Sequence, residues 1–277
     1  MDKTNKTAII ILNYNSWKET IEEAKICRDF LDVSKEDIIV VDNCSTNNSA
    51  VELNKYSDTL FRLLISERNG GYATGNNIGL RYAFNLGYDY AWILNNDILI
   101  SDKDIISKLL CVFEKDDNIA VVNPDIYSSD GHLYNRDSKR PSFFDYTIGT
   151  YSYKRKGRDI KDLGGYGIVY RPQGCCMMVD LVKLNEVGFL DENTFLYFEE
   201  NILAEKLQHR NYACACCLSA GIVHNHSKTV KSNLDKKKIR KINNNSFVYY
   251  LKNYRSFNYL QIFICKLFNT VKLILLD

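Results

Sequence analysis

Proline is scarce: three residues in 277, so few positions force a helix or strand to break. With 25% charged residues, the chain reads as a folded globular protein. Net charge is also scarce. Lys and Arg number 36 against 34 Asp and Glu, and the resulting +2 provides no global field for nucleic acid. Glycine is missing where a dinucleotide fold needs it, because the first strand leads into Asn13-Tyr14-Asn15-Ser16-Trp17 without G-x-G-x-x-G. The glycine-rich stretch at residues 69–75 lacks the Lys-Ser/Thr of a phosphate-binding loop. These gaps set aside nicotinamide oxidoreductases and P-loop enzymes. A basic, glycine-rich start of the kind that binds triphosphate in nucleotidyltransferases is absent too.

No stretch reaches the ~20 uninterrupted apolar residues of a spanning helix. The apolar run after residues 1–6 is too short for a secretory signal, and no small-residue cleavage site follows it. Nine cysteines without an export signal point to reduced thiols in a cytoplasm. Cys214-Ala215-Cys216-Cys217 has one C-x-x-C spacing and no second pair, and Cys175-Cys176 lies in an apolar run. Both read as small buried hydrophobes in preference to zinc or redox sites.

What is present is an alternation of strands and helices. Residues 8–12 read as a strand, and Ser16-x-x-Glu19 as a capping box opening a helix to about residue 31. Residues 38–41 form an apolar strand ending on Asp42, and residues 63–66 a further strand. Ile78, Tyr82 and Leu86 fall at i, i+4, i+8, the inward face of a helix stopped by Gly87. Residues 90–94 form a strand, 104–113 a helix and 119–122 a strand. Residues 127–170 show no clear period. Regular pattern returns with a strand at 174–179, a helix at 199–209 with Leu203 and Leu207 inward, and a strand at 213–217. This order predicts an α/β fold with a mostly parallel sheet flanked by helices.

Ligands bind such sheets beyond the carboxyl ends of the strands. Three strands end there on polar groups: Asn13-Tyr14-Asn15, Asp42, and Asn95-Asn96-Asp97, which should converge on one rim. A lone carboxylate at that place suits a hard divalent cation shared with substrate phosphates, although Asn and Asp also favour plain turns. Nineteen tyrosines and thirteen phenylalanines agree weakly with a site that meets sugars or bases.

Several motifs occur in a telling order. They are Ile9-Ile10-Ile11-Leu12-Asn13-Tyr14-Asn15, Val40-Val41-Asp42-Asn43-Cys44-Ser45, Asn69-Gly70-Gly71-Tyr72-Ala73-Thr74-Gly75-Asn76-Asn77 and Leu94-Asn95-Asn96-Asp97. Gly174-Cys175-Cys176-Met177, Val187-Gly188-Phe189-Leu190-Asp191-Glu192 and Phe195-Leu196-Tyr197-Phe198-Glu199-Glu200 follow, then His224. The ordered set, over about residues 8–228, resembles the family 2 glycosyltransferases, and among them the bacterial rhamnosyl- and capsule-type members.

The resemblance implies the nucleotide-sugar-binding GT-A fold over residues 1–227. It implies that Tyr14 stacks on a nucleobase and that Asp42 accepts its imide N–H. Asn13, Asn15, Asn77, Asn96 and Gly174 would serve the donor, a UDP- or dTDP-sugar. Asp97 and His224 would hold Mn2+ or Mg2+, with His226 competing for the second place. Glu200 would be the general base of an inverting transfer to a hydroxyl of a lipid-linked glycan in surface polysaccharide synthesis. Glu199 would bind or orient the acceptor. Without the motifs, an acidic pair at a helix start has the bland reading of a dipole partner. Two departures, Ile202 where many relatives carry an acid and Asn95-Asn96 in the metal motif, support an alternative: a degenerate sugar-nucleotide-binding subunit of a glycan-assembly complex.

Residues 228–277 form a basic and then amphipathic tail. It would lie on the inner face of the cell membrane, making the protein cytoplasmic and peripheral, or pack on the domain or on a second copy as a homodimer. No nucleic-acid partner is expected.

Overall fold

The apolar runs become the middle of a single sheet. The computed structural model describes residues 5–149, 160–225 and 235–275. Strands β1 (Thr7–Asn13), β2 (Ile38–Asp42), β3 (Arg62–Ile65) and β4 (Tyr90–Leu94) run parallel, in the order β3-β2-β1-β4. The apolar runs of β1, β2 and β4 are buried on both faces, as a sheet covered on both sides requires, whereas the edge strand β3 is partly exposed. One face is covered by α1 (Trp17–Lys25), which continues as a wider turn over Ile26–Phe30, by α2 (Ser49–Asn54) and by α4 (Ile105–Phe113). The opposite face is covered by α3 (Tyr72–Asn85), α5 (Leu181–Glu186) and α6 (Glu199–Gln208).

The second half of the sheet departs from the parallel pattern. Beyond β4 come β8 (Cys176–Asp180), β6 (Ile119–Ser128), β9 (Ala213–His224) and the two-residue β5 (Ile98–Leu99), while β7 (Tyr166–Val169) also pairs with β9. Only β6 and β9 are parallel there; β4–β8, β6–β8, β5–β9 and β7–β9 are antiparallel. The mostly parallel order expected thus holds for the first four strands and again between β6 and β9, and the full sheet is mixed. The cause is connectivity, since β8 follows β7 after a short turn and runs along β4 in the opposite direction.

Two local expectations are corrected. Ser16 is the residue before α1 but makes no side-chain cap bond to the helix. Its hydroxyl accepts from Asn96 Nδ2 at 2.8 Å instead, so the rim has recruited the expected capping residue. On α3 the inward face is Ala73, Asn76, Asn77, Leu80 and Ala83, whereas Ile78 and Tyr82 lie at its edge and Leu86 is exposed. Small residues decide this rotation. A Cβ on Gly79 would stand 2.7 Å from Ile10 Cγ2, so the helix sits closer to β1 than any larger side chain permits. Leu203 and Leu207 on α6 are fully buried, as their spacing predicts.

The chain closes with α7 (Lys236–Tyr254) and α8 (Tyr259–Leu275). Phe247, Tyr250 and Leu251 of α7 pack with Ile202 of α6, so α7 covers the domain directly. Among the described residues no helix is long and apolar enough to cross a membrane. His226 and the start of the basic run at 228 lie outside the described residues.

Candidate active site

The parallel register places Asn13 beside Asp42 and Ile11 beside Leu94, so the polar ends of β1, β2 and β4 do meet at one rim. Asn13 is fully buried and spends its whole amide on order. Its Nδ2 donates to Asp42 Oδ1 at 2.6 Å and to Ser45 Oγ at 3.1 Å, while its Oδ1 accepts from Thr20 Oγ1 at 2.9 Å and Ser16 Oγ at 3.4 Å. Asp42, 1% exposed, also accepts from the Ser45 hydroxyl at 2.6 Å and from Ser45 N at 3.1 Å through Oδ2. One acceptor position on Oδ2 remains for a ligand. Asn15 holds a left-handed backbone (φ 58°), and its side-chain oxygen accepts from Thr46 N at 2.8 Å. The loops after β1 and β2 are thereby stitched together, leaving the half-buried ring of Tyr14 beside them.

Two of the asparagines also hold neighbouring elements together. Asn77 donates to Leu190 O at 2.9 Å and Glu192 Oε1 at 2.7 Å and accepts from Leu190 N at 3.0 Å. Both N–H groups of that buried amide and one acceptor position of its oxygen are taken by the loop after α5, so Asn77 staples that loop to α3 and keeps one acceptor position. Asn96 Nδ2 donates to Ser16 Oγ and Thr20 Oγ1, both at 2.8 Å, which ties the end of β4 to α1.

Asp97 and His224 come together through the short β5. Ile98 pairs with His224, Leu99 with Val223, and Asn225 N donates to Asp97 O at 3.0 Å. The His224 Nε2 to Asp97 Oδ1 distance is 3.3 Å. Asp97 Oδ1 is buried without a hydrogen-bond partner, a cost for a carboxylate unless something else approaches it. His224 Nδ1 lies 2.9 Å from the Tyr134 hydroxyl, which fixes the ring with Nε2 toward Asp97. Burial lowers the imidazole pKa, but the Asp97 carboxylate and the Cys175 thiol more than reverse this and raise it to about 10. A cation binding beside Asp97 would have to displace this proton, because an imidazole ligates a metal only in its neutral form. Among the described residues no group of three His, Cys, Asp or Glu side chains could hold a metal, so a cation here would share two protein ligands with phosphate oxygens. Glu23 on α1, buried and with Oε1 unpartnered, is pushed well above the carboxylate range by burial and then by the charge of Asp97.

The acidic pair lies across residues 173–176 from this cation position. Asn95 N donates to Cys175 O at 2.8 Å on one side, and Gly174 N donates to Glu200 Oε1 at 3.3 Å on the other. Tyr72, at the start of α3, donates its hydroxyl to Gly174 O and so clamps that segment. Glu199 and Glu200 open α6 directly after Tyr197 and Phe198, both left-handed at φ 71° and 68°. Two bulky residues in that region cost about 1–3 kcal/mol each and persist only where the surroundings impose them. Glu199 is buried with Oε2 unpartnered, and burial first, then the charge of Glu200, raises its pKa well above the usual range. Glu200 is half-buried and open toward the segment at 173–176. Sequence reasoning missed Tyr134, Tyr72 and Glu23. Tyr134 lies in the stretch without periodicity, and the other two are ordinary helix residues by pattern.

The Glycosyl transferase family 2 profile matches residues 8–182, more than half of the chain. The chain belongs to that family. A curated relative, the low-salt glycan biosynthesis hexosyltransferase Agl10 of Haloferax volcanii, is 27% identical over 79% of the chain and 66% of the relative. The chain thus spans about two thirds of that relative's length. Among solved structures, GalNAc-T7 with UDP, GalNAc and Mn2+ matches 92% of the chain and 50% of its own, at 14% identity and a TM-score of 0.63. The Pyrobaculum calidifontis mannosyltransferase PcManGT, with GDP-Man and Mn2+, matches 98% of the chain and 70% of its own, at 17% identity and a TM-score of 0.61. These likenesses establish the GT-A fold of the family 2 chain.

Proposed function

We propose that this family 2 protein is an inverting glycosyltransferase that moves a sugar from a UDP- or dTDP-sugar to a hydroxyl of a lipid-linked glycan in surface polysaccharide synthesis. The observation that carries the reading is that adjacent residues touch both groups, Gly174 N donating to Glu200 Oε1 and the Cys175 thiol lying against His224, the partner of Asp97. A donor bound along the rim would have its diphosphate at the Asp97–His224 pair and its anomeric carbon toward Glu200.

Tyr14 stacks on the base, and the free acceptor position of Asp42 takes its imide N–H. Asn13, Asn15 and Asn96 keep the two loops and the end of β4 in register with that pocket. Asp97 and His224 fit a divalent cation, Mn2+ or Mg2+, because the buried Asp97 Oδ1 makes no well-aligned hydrogen bond and is answered only by the His224 ring 3.3 Å away. When bound, such an ion neutralises the charge that develops on the leaving diphosphate. Glu200 removes the proton from the acceptor hydroxyl as its oxygen bonds to the anomeric carbon and the diphosphate leaves from the opposite face. Attack from that side inverts the anomeric configuration. Glu199, whose carboxyl burial holds well above the usual range, binds or orients the acceptor beside Glu200.

The single carboxylate at the cation position favours the rival reading, a sugar-nucleotide-binding subunit without turnover. Incubation with a lipid-linked acceptor and a panel of pyrimidine diphosphate-sugars separates the two. A product whose new linkage has the anomeric configuration opposite to the donor's supports the transferase. A retained configuration, or donor binding without any product from the whole panel, contradicts it.

A further inference from the structure

The C-terminal helices are fixed to the base-bearing loop on one side and bare on the other. On α7, Phe247 and Tyr250 stack on Phe198 with ring centroids 5.0 and 5.7 Å apart, and Ser246 Oγ donates to Leu196 O at 2.8 Å. Tyr249 donates to Asp191 Oδ2 at 3.0 Å, as does Tyr254. Glu205, on the helix that begins with the acidic pair, accepts from Tyr170 at 2.6 Å and pairs with Arg140 and with Arg255 at the end of α7. α7 is therefore an integral wall of the site.

α8 returns along α7 on a line through Ile262, Cys265 and Asn269, the last donating to Asn243 at 3.0 Å and Asn244 at 2.9 Å. On its other side Leu260, Phe263, Leu267, Val271 and Ile274 are 40–69% exposed. At about 100° per residue, these five form one stripe almost opposite the buried line, with Lys266 about 60° beyond one edge and Lys272, also exposed, about 100° beyond the other. Between residues 236 and 275 there are nine Lys and Arg and no Asp or Glu.

We propose that α8 lies in the plane of an anionic lipid bilayer surface, its apolar stripe sunk among the acyl chains and Lys266 and Lys272 reaching to headgroup phosphates. A long apolar stripe with a lysine beyond each edge is the arrangement that interfacial helices use, the lysine stems covering apolar surface while the ammonium groups stay wet. A second copy of the chain is the poorer occupant. Stripe against stripe would set the flanking lysines beside their own copies, with no acid on either helix to answer them. The inference deepens the lipid-linked acceptor reading and draws its purpose from it. Because α7 joins α8 to the loop before Glu199, docking would hold the acidic pair at a fixed height above the lipid.

The test is co-sedimentation of the full chain with vesicles of phosphatidylcholine, alone or mixed with phosphatidylglycerol, in the absence of donor and acceptor. The proposal expects binding to the mixed vesicles that weakens about tenfold or more in Phe263→Glu/Leu267→Glu, at unchanged melting temperature. Lys266→Gln/Lys272→Gln should keep the affinity for neutral vesicles and lose the preference for anionic ones. Wild-type protein that stays in the supernatant with the mixed vesicles overturns the proposal. So does undiminished binding by the acidic double variant, or a wild-type dimer that this variant turns into monomer. Vesicle binding without glycosyl transfer would refute the function proposed above and leave the docking surface standing.

Discussion

His224 Nε2 stands 3.3 Å from Asp97 Oδ1 because the two-residue strand β5 pairs Ile98 with His224. The contact is indirect to set up, since the Tyr134 hydroxyl must hold the far nitrogen of the ring at 2.9 Å. Outer partners of this kind typically change metal affinity about 10–100-fold when removed. Tyr134→Phe should therefore raise the Mn2+ concentration needed for half-maximal turnover by about tenfold or more. Turnover at saturating Mn2+ should remain near that of the wild type. Titration of activity with Mn2+ decides, and an unchanged midpoint would remove Tyr134 from the site.

Glu200→Gln keeps the size of the side chain and its contact with Gly174 N but cannot take a proton. Loss of a general base costs on the order of 10²–10⁴ in rate. We expect kcat to fall by that factor while the donor Kd measured by calorimetry stays within about twofold. A variant that loses donor binding and turnover together would make Glu200 a donor ligand instead.

Glu199 gives a pH signature. Its carboxyl is buried, and its pKa in the fold lies well above the ordinary 4.5, through burial first and the charge of Glu200 second. A raised carboxyl favours the folded state fully below the unfolded pKa, and that contribution is lost as pH rises through the folded pKa, when a charge must be buried. Glu199→Gln cannot ionise. Its melting temperature should gain on that of the wild type as pH rises from about 4.5 toward neutrality. A difference constant over that range would show that Glu199 ionises in the fold as easily as in the open chain.

The rim was legible because strand ends announce themselves. An apolar run that stops on Asn13, Asp42 or Asp97 has one direction and one end, and the parallel register brings those ends together. The burial of Leu203 and Leu207 followed from helical spacing alone. The face of α3 did not, because Gly79 determines the approach to Ile10 by what it lacks, which an apolar-residue pattern cannot register. The antiparallel half was hidden because residues 127–170 carry no clear period, and the direction of β8 depends on where that stretch leaves the chain. Tyr134 reaches His224 from the same stretch. The amide of Asn77 bonds to Leu190 and Glu192, partners far along the chain that nothing in its own motif implies.

Gly71 ties the glycine-rich motif to the acceptor-side loop. Its φ is 91°, and a Cβ there would lie 1.9 Å from Phe195 O, the atom that accepts from Tyr72 N at 3.0 Å. Gly71→Ala should destabilise the protein by more than about 2 kcal/mol, through both the backbone conformation and the clash. Chemical denaturation measures this directly, and a loss below about 0.5 kcal/mol would mean that the loop shifts freely.

The most direct test of the whole account is thermal shift of the purified chain against pyrimidine diphosphate-sugars, with and without Mn2+, for wild type and Asp97→Ala. A ligand that binds the folded form alone raises apparent stability by mass action. The account predicts a rise in melting temperature with one donor that needs Mn2+ and vanishes in Asp97→Ala. A donor shift of the same size without Mn2+, or one that survives in Asp97→Ala, would contradict the assignment of Asp97 and His224 as the cation site.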